Sequence, residues 1–158
     1  MRYKGKDVSL YLYVLAAFAA VGLASMAYLY LGFGLGINAI SNSCTIYSTP
    51  FDCGNVVTSQ YSTFLGIDWY YYGIAFFSAI LAATVAFWLS DIKRTKERIL
   101  YAIVAVSGAG AFVAAYLIYT ELFRIHYICE FCTVGHASIF IIFAASLLLA
   151  EKTRHHRE

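Results

Sequence analysis

Cys44, Cys53, Cys129 and Cys132 are the only cysteines in the 158 residues, and they form two pairs. The second pair is a Cys-x-x-Cys, within the stretch His126-Tyr127-Ile128-Cys129-Glu130-Phe131-Cys132. Two cysteines three apart on a first helical turn can close a small disulfide, or leave one thiolate facing the helix N-terminus. Unpaired backbone N–H groups and the helix dipole stabilise that thiolate there. A protonated His126 adds to this effect and Glu130 opposes it. The first pair has eight residues between its members. As a static staple it closes a short loop and stabilises by roughly 2–3 kcal/mol on the chain-entropy argument.

Three kinds of chemistry fit two such pairs. A loop pair and a helix pair on the same membrane face can exchange disulfides in series, as a relay between an outside thiol and a second acceptor. Four thiolates can hold zinc or copper tetrahedrally, although the gap between Cys44 and Cys53 is too wide for a metal knuckle. Or all four are inert, as in a structural tetra-span adaptor; the Asp52-Cys53-Gly54 sequence lacks the double cysteine that such adaptors carry.

The elements that must position these residues are apolar. Hydrophobic residues make up 61% of the chain and charged residues 13%, against about half and a quarter in soluble domains. Four stretches have the twenty or so residues needed to cross a hydrocarbon layer about 30 Å thick: residues 8–32, 69–89, 99–122 and 129–150. None has Lys or Arg in its interior. Four such segments leave too little polar surface for a soluble fold, and the first is too long for a signal peptide and lacks a clear cleavage site. The expected fold is an all-α integral membrane protein. It is read as one domain over 1–158, a bundle of four transmembrane helices, with a loop and short helix over residues 33–67 capping the site.

Lys and Arg set the orientation. Arg2, Lys4 and Lys6 precede the first span. Lys93, Arg94, Lys96 and Arg98 separate the second and third, and Lys152, Arg154 and Arg157 follow the fourth. Only Arg124 falls on the other side, so both termini are expected in the cytoplasm of a plasma-membrane protein and all four cysteines outside it. That is the side on which disulfides persist. The net charge of +2 gives no footing for nucleic-acid binding. Segment 56–66, VVTSQYSTFLG, mixes apolar residues with hydroxyls and is expected to form a short half-buried helix. In the third span Ser107 with Ala111 and Gly110 with Ala114 make small-xxx-small pairs, which let helices approach closely.

A relay must deliver its electrons. Within a bilayer the lipid-soluble two-electron carrier is a quinone, held between aromatic walls and one or two polar groups. Phe131 and the run Trp69-Tyr70-Tyr71-Tyr72 are candidates for the walls, although such a run equally marks an interfacial aromatic belt. His136 lies four residues after Cys132, on the same helical face one turn deeper. An ionisable residue inside a span is a functional candidate, with hydrogen bonding to a neighbouring helix as the alternative.

The cysteine pair after the first span, the pattern Cys53-x-x-Val56-x-x-Ser59, Gly66 and Gly73 at the start of the second span and the closing Cys-x-x-Cys together resemble the vitamin K epoxide reductase family, in its prokaryotic or archaeal form. The resemblance implies a thiol:quinone oxidoreductase that supports disulfide formation. Cys132 faces the quinone (ubiquinone, menaquinone or a vitamin K-like one). Cys129 is the disulfide partner of Cys132 and exchanges with Cys53, and Cys44 meets the external redox protein. Ser59 lies near the quinone carbonyl, or caps a helix. Trp69, Tyr72, Phe131 and His136 complete the expected pocket. Animal members have asparagine at the position of Trp69 and tyrosine at that of His136. Many bacterial members carry an appended thioredoxin-like domain, whereas this sequence ends after the fourth span, so a separate secreted thioredoxin-fold partner is expected. Reduction of a vitamin K-like quinone or epoxide by the same relay is the alternative activity.

Overall fold

The structure is a computed structural model and describes residues 6–38 and 51–155. Cys44 and Pro50 lie outside the described residues. Helix α1 runs Lys6–Leu29 and closes with a wide π-helical turn, Tyr30–Gly34. After the short helix α2, Cys53–Val57, comes a two-stranded antiparallel hairpin, β1 Thr63–Phe64 and β2 Ile67–Asp68. Helix α3, Trp69–Leu89, begins where the hairpin ends. Helix α4, Lys93–Thr120, continues into a second π-helical turn, Glu121–Ile125, and α5 is Glu130–His155.

Four helical segments are long and apolar enough to cross a membrane: Val8–Gly34, Trp69–Leu89, Lys93–Ile125 and Glu130–Thr153, with mean hydropathy of 1.9 to 2.0. The protein is an integral membrane protein, with four membrane-spanning helices among the described residues. Apolar residues appear on all sides of each helix, because the outward side chains meet lipid rather than water. Phe112 and Leu89 are accordingly exposed and Phe77, Ile103, Ile142 and Leu149 buried.

The helices close a ring: α1 packs between α3 and α5, and α4 packs between α5 and α3. Small residues set the spacing. Ser107, Ala111 and Ala114 are buried on α4, and the Ser107 and Ser146 hydroxyls meet across α4 and α5 at 3.2 Å. Gly22 on α1 lies against the ring of Phe77 on α3, and a methyl group there would overlap that ring.

Two expectations need correction. Segment 56–66 is not a helix: α2 stops at Val57, and the chain turns back through the hairpin. Thr63, Phe64 and Ile67 favour strand, and Leu65 and Gly66 form a two-residue turn with φ of 54° and 79°. Positive φ at both central residues matches the right-handed twist of a hairpin. The third helix also starts earlier than expected. The basic segment from Lys93 already belongs to α4, which leaves only Ser90, Asp91 and Ile92 outside the two helices.

Candidate active site

The cysteine end of the bundle is organised by one short backbone contact. Phe51 and Ile128 form an isolated parallel bridge, and the Asp52 N–H donates to the Ile128 carbonyl at 3.1 Å. One residue further along each chain stand Cys53 and Cys129. The Asp52 carboxylate then caps α2, accepting from the Asn55 backbone N–H at 3.1 Å and the Asn55 side-chain amide at 2.8 Å. Cys53 is thereby fixed as the first residue of α2 and buried against Cys129.

Cys129 stands immediately before α5 and occupies the position of an N-cap. Its carbonyl accepts from the Thr133 N–H at 2.8 Å, and its sulfur accepts from the Cys132 N–H at 3.2 Å. The chain reaches this position because α4 ends in the wide turn to Ile125 and His126 adopts a left-handed conformation, φ 59°. The Cys129 side chain makes hydrogen bonds with both the Cys53 and the Cys132 sulfurs, so the three described cysteines form a row with Cys129 in the middle.

This row distributes protons unevenly. The Cys129 thiol is pushed above its ordinary range, first by its hydrogen bond to the Cys132 sulfur. The contact with Cys53 pulls the other way, and burial adds to the upward push. The Cys132 backbone N–H also pulls downward, but the upward push outweighs both, so this arrangement disfavours the thiolate on Cys129.

Cys132 opens onto a cavity of about 800 Å³ enclosed by the helices and roofed by residues 56–64. That volume is in the range of small-molecule sites. Trp69, Tyr72, Cys132 and His136 line it, as does Gly73 at the start of α3. Its polar groups are mostly engaged elsewhere. The Trp69 indole N–H donates to the Tyr61 carbonyl at 3.0 Å, the Tyr72 hydroxyl to the Phe64 carbonyl at 3.0 Å, and the Tyr70 hydroxyl to Asp68 at 2.7 Å. His136 differs: it is 6% exposed, and its buried Nδ1 has no hydrogen-bond partner among the described residues. Phe112, 80% exposed on the lipid-facing side of α4, also lines the cavity, so the cavity reaches the face that meets lipid.

Two expected pocket residues lie off this wall. The Ser59 hydroxyl donates to the Val56 carbonyl at 2.8 Å and accepts from the Tyr61 N–H at 3.3 Å, closing the turn after α2. Phe131 stacks on Tyr28 of α1, with ring centroids 4.3 Å apart. Conversely, Glu121 lines the cavity, is 5% exposed, and accepts a hydrogen bond from the Cys129 backbone N–H. The Lys and Arg pattern that orients the chain does not reveal it. Its sequence signal is that it is the one charged residue within 99–122.

The candidate site is thus a row of three sulfurs at one end of a four-helix membrane bundle, with its last member on an apolar cavity. The chain belongs to the vitamin K epoxide reductase family, whose family model matches residues 13–147. The match includes both cysteine pairs and at least most of each of the four membrane helices, and the family is one of membrane oxidoreductases linked to quinones. No curated protein matches the chain.

Proposed function

We propose that the protein is a thiol:quinone oxidoreductase that reoxidises a secreted thioredoxin-fold protein and so supports disulfide formation outside the cytoplasm. The observation that carries this reading is the order Cys53–Cys129–Cys132–cavity. Thiol–disulfide exchange needs the attacking sulfur next to the one attacked, and each consecutive pair in this order is in contact.

In the proposed cycle a thiolate of the partner attacks the Cys44–Cys53 disulfide, and the partner's second thiol completes its own disulfide, leaving two thiols on the loop. The Cys53 thiolate attacks Cys129 in a Cys129–Cys132 disulfide, forming a Cys53–Cys129 bond and releasing Cys132 as thiolate. Cys44 then attacks Cys53, restoring the loop disulfide and returning Cys129 as a thiol. The Cys129 and Cys132 thiols together give up two electrons and two protons to quinone, which leaves as quinol, and their disulfide re-forms. The net reaction oxidises the partner dithiol and reduces one quinone.

The wall fits such an acceptor. Aromatic side chains bracket a flat ring, the His136 Nδ1 is available to one of its oxygens, and Phe112 marks access for a lipid-soluble molecule. The preponderance of basic residues at the end of the bundle opposite the cysteines supports cytoplasmic termini. The test is reduction of a short-chain ubiquinone analogue by the purified protein with dithiothreitol as donor. Wild-type protein is expected to consume the quinone and Cys132→Ala to lose that activity; full activity in Cys132→Ala would sink the proposal.

A further inference from the structure

Oxidation of a dithiol by quinone moves two protons as well as two electrons, and the protons need a route inside an apolar cavity. Among the described residues lining that cavity, Glu121 is the only carboxyl. It sits in the π-helical turn that ends α4, and such wide turns recur at functional sites because they re-aim side chains. The turn directs the carboxyl inward, where the Cys129 backbone N–H holds it beside the sulfur row. A carboxyl so deeply buried inside a span is costly to keep for packing alone, and an apolar residue would fill the same space.

We infer that Glu121 is the proton carrier of the cavity, taking a proton released when the Cys129–Cys132 disulfide forms and delivering it to a quinone oxygen. This deepens the thiol:quinone reading and rests on it. Per turnover the two thiols lose two electrons and two protons while one sulfur–sulfur bond forms. Glu121 carries one proton to the acceptor; the other leaves to water at the membrane face, which supplies the second proton of the quinol. Protons and electrons therefore balance, and the carboxyl returns to its starting form. The other titratable groups facing the cavity are Cys132 and His136 from α5, Tyr116 from α4, Tyr70 and Tyr72 from α3, and Tyr61 from the roof. His136, whose buried Nδ1 has no partner among the described residues, is suited to fix the acceptor, which leaves proton carriage to the carboxyl.

The experiment compares wild type, Glu121→Gln and Glu121→Asp in lipid nanodiscs, with dithiothreitol as donor and a short-chain ubiquinone analogue as acceptor. It measures single-turnover rate against pH, binding of the analogue, and thermal unfolding. Glu121→Gln is expected to slow quinone reduction on the order of 100-fold, the scale of a lost proton-transfer group. Binding and the unfolding temperature should stay unchanged, and one limb of the pH profile should disappear. Glu121→Asp, which keeps the carboxyl, is expected to recover most of the rate with that limb displaced. Glu121→Gln with the wild-type rate and profile would overturn the inference, as would a loss due wholly to weaker binding. If the Gln variant does not fold, the Asp variant decides: a displaced limb supports the assignment and an unmoved one overturns it. Wild-type protein that fails to reduce the analogue, or Cys132→Ala that still does, would instead bring down the thiol:quinone reading itself.

Discussion

The Cys132 backbone N–H donates to the Cys129 sulfur at 3.2 Å, so the first cysteine of the motif caps the helix that carries the second. The same sulfur is hydrogen-bonded to the Cys132 side chain, and this raises its proton affinity above the ordinary thiol value of 9.0. The folded reduced protein thus resists ionisation of Cys129 more than the unfolded chain does. Its contribution to stability is present below that ordinary value and is lost as pH rises above it. Thermal unfolding of the reduced protein is expected to show a steeper alkaline decline in wild type than in Cys129→Ala. Parallel declines would refute the proton assignment.

His136 makes the opposite prediction about stability and function. A buried polar atom without a partner costs about 1–3 kcal/mol, and an apolar residue of similar size removes that cost. His136→Leu is therefore expected to unfold at the same or a higher temperature than wild type. If Nδ1 holds the acceptor, the same substitution raises the KM for quinone about tenfold, equivalent to about 1.4 kcal/mol. A variant that is destabilised with an unchanged KM would identify His136 as a structural residue.

What the sequence reveals and conceals here follows from how local each signal is. The spans are legible because each is a long unbroken apolar run, and the Cys-x-x-Cys because its spacing is a helical turn. The roof over residues 56–66 is not, since its turn uses Leu65 at positive φ instead of the usual Asn or Asp. Ser59 and Phe131 show a second limit. Proximity in sequence to Cys53 and Cys132 does not tell which face of the element each side chain takes, and both turn toward their own neighbours. Glu121 is concealed by a third effect. A carboxyl near the end of an apolar run looks interfacial until the wide turn to Ile125 folds it inward.

Asp52 connects a cap to the relay. Loss of an N-cap side chain typically costs about 1 kcal/mol, and here the cap fixes the helix that begins with Cys53. Asp52→Ala is expected to lower stability by that amount and to slow trapping of the Cys53–Cys129 mixed disulfide in a Cys132→Ala background. Asp52→Ser, which can still cap, should restore most of both. Equal trapping rates in all three proteins would separate the cap from positioning of the sulfur.

Gly22 tests the packing that holds the cavity walls together. A Cβ at this position would overlap the ring of Phe77, which is fully buried between α1 and α3 and also lines the cavity. Because the ring also borders the cavity, relief requires Phe77 to leave its rotamer and shift toward that space, or the two helices to separate. Overpacking of this kind costs about 1–3 kcal/mol. Gly22→Ala is expected to lower the unfolding temperature, and Gly22→Ala with Phe77→Leu to recover part of the loss by opening space for the methyl group. By contrast, Ser146→Ala should cost less than about 1 kcal/mol, because interhelical hydrogen bonds in membranes average near 0.6 and Ser107 keeps its bond to the Ile103 carbonyl at 2.6 Å. A larger loss at Ser146 than at Gly22 would mean that polar pairing, not close approach of small residues, sets the spacing of this bundle.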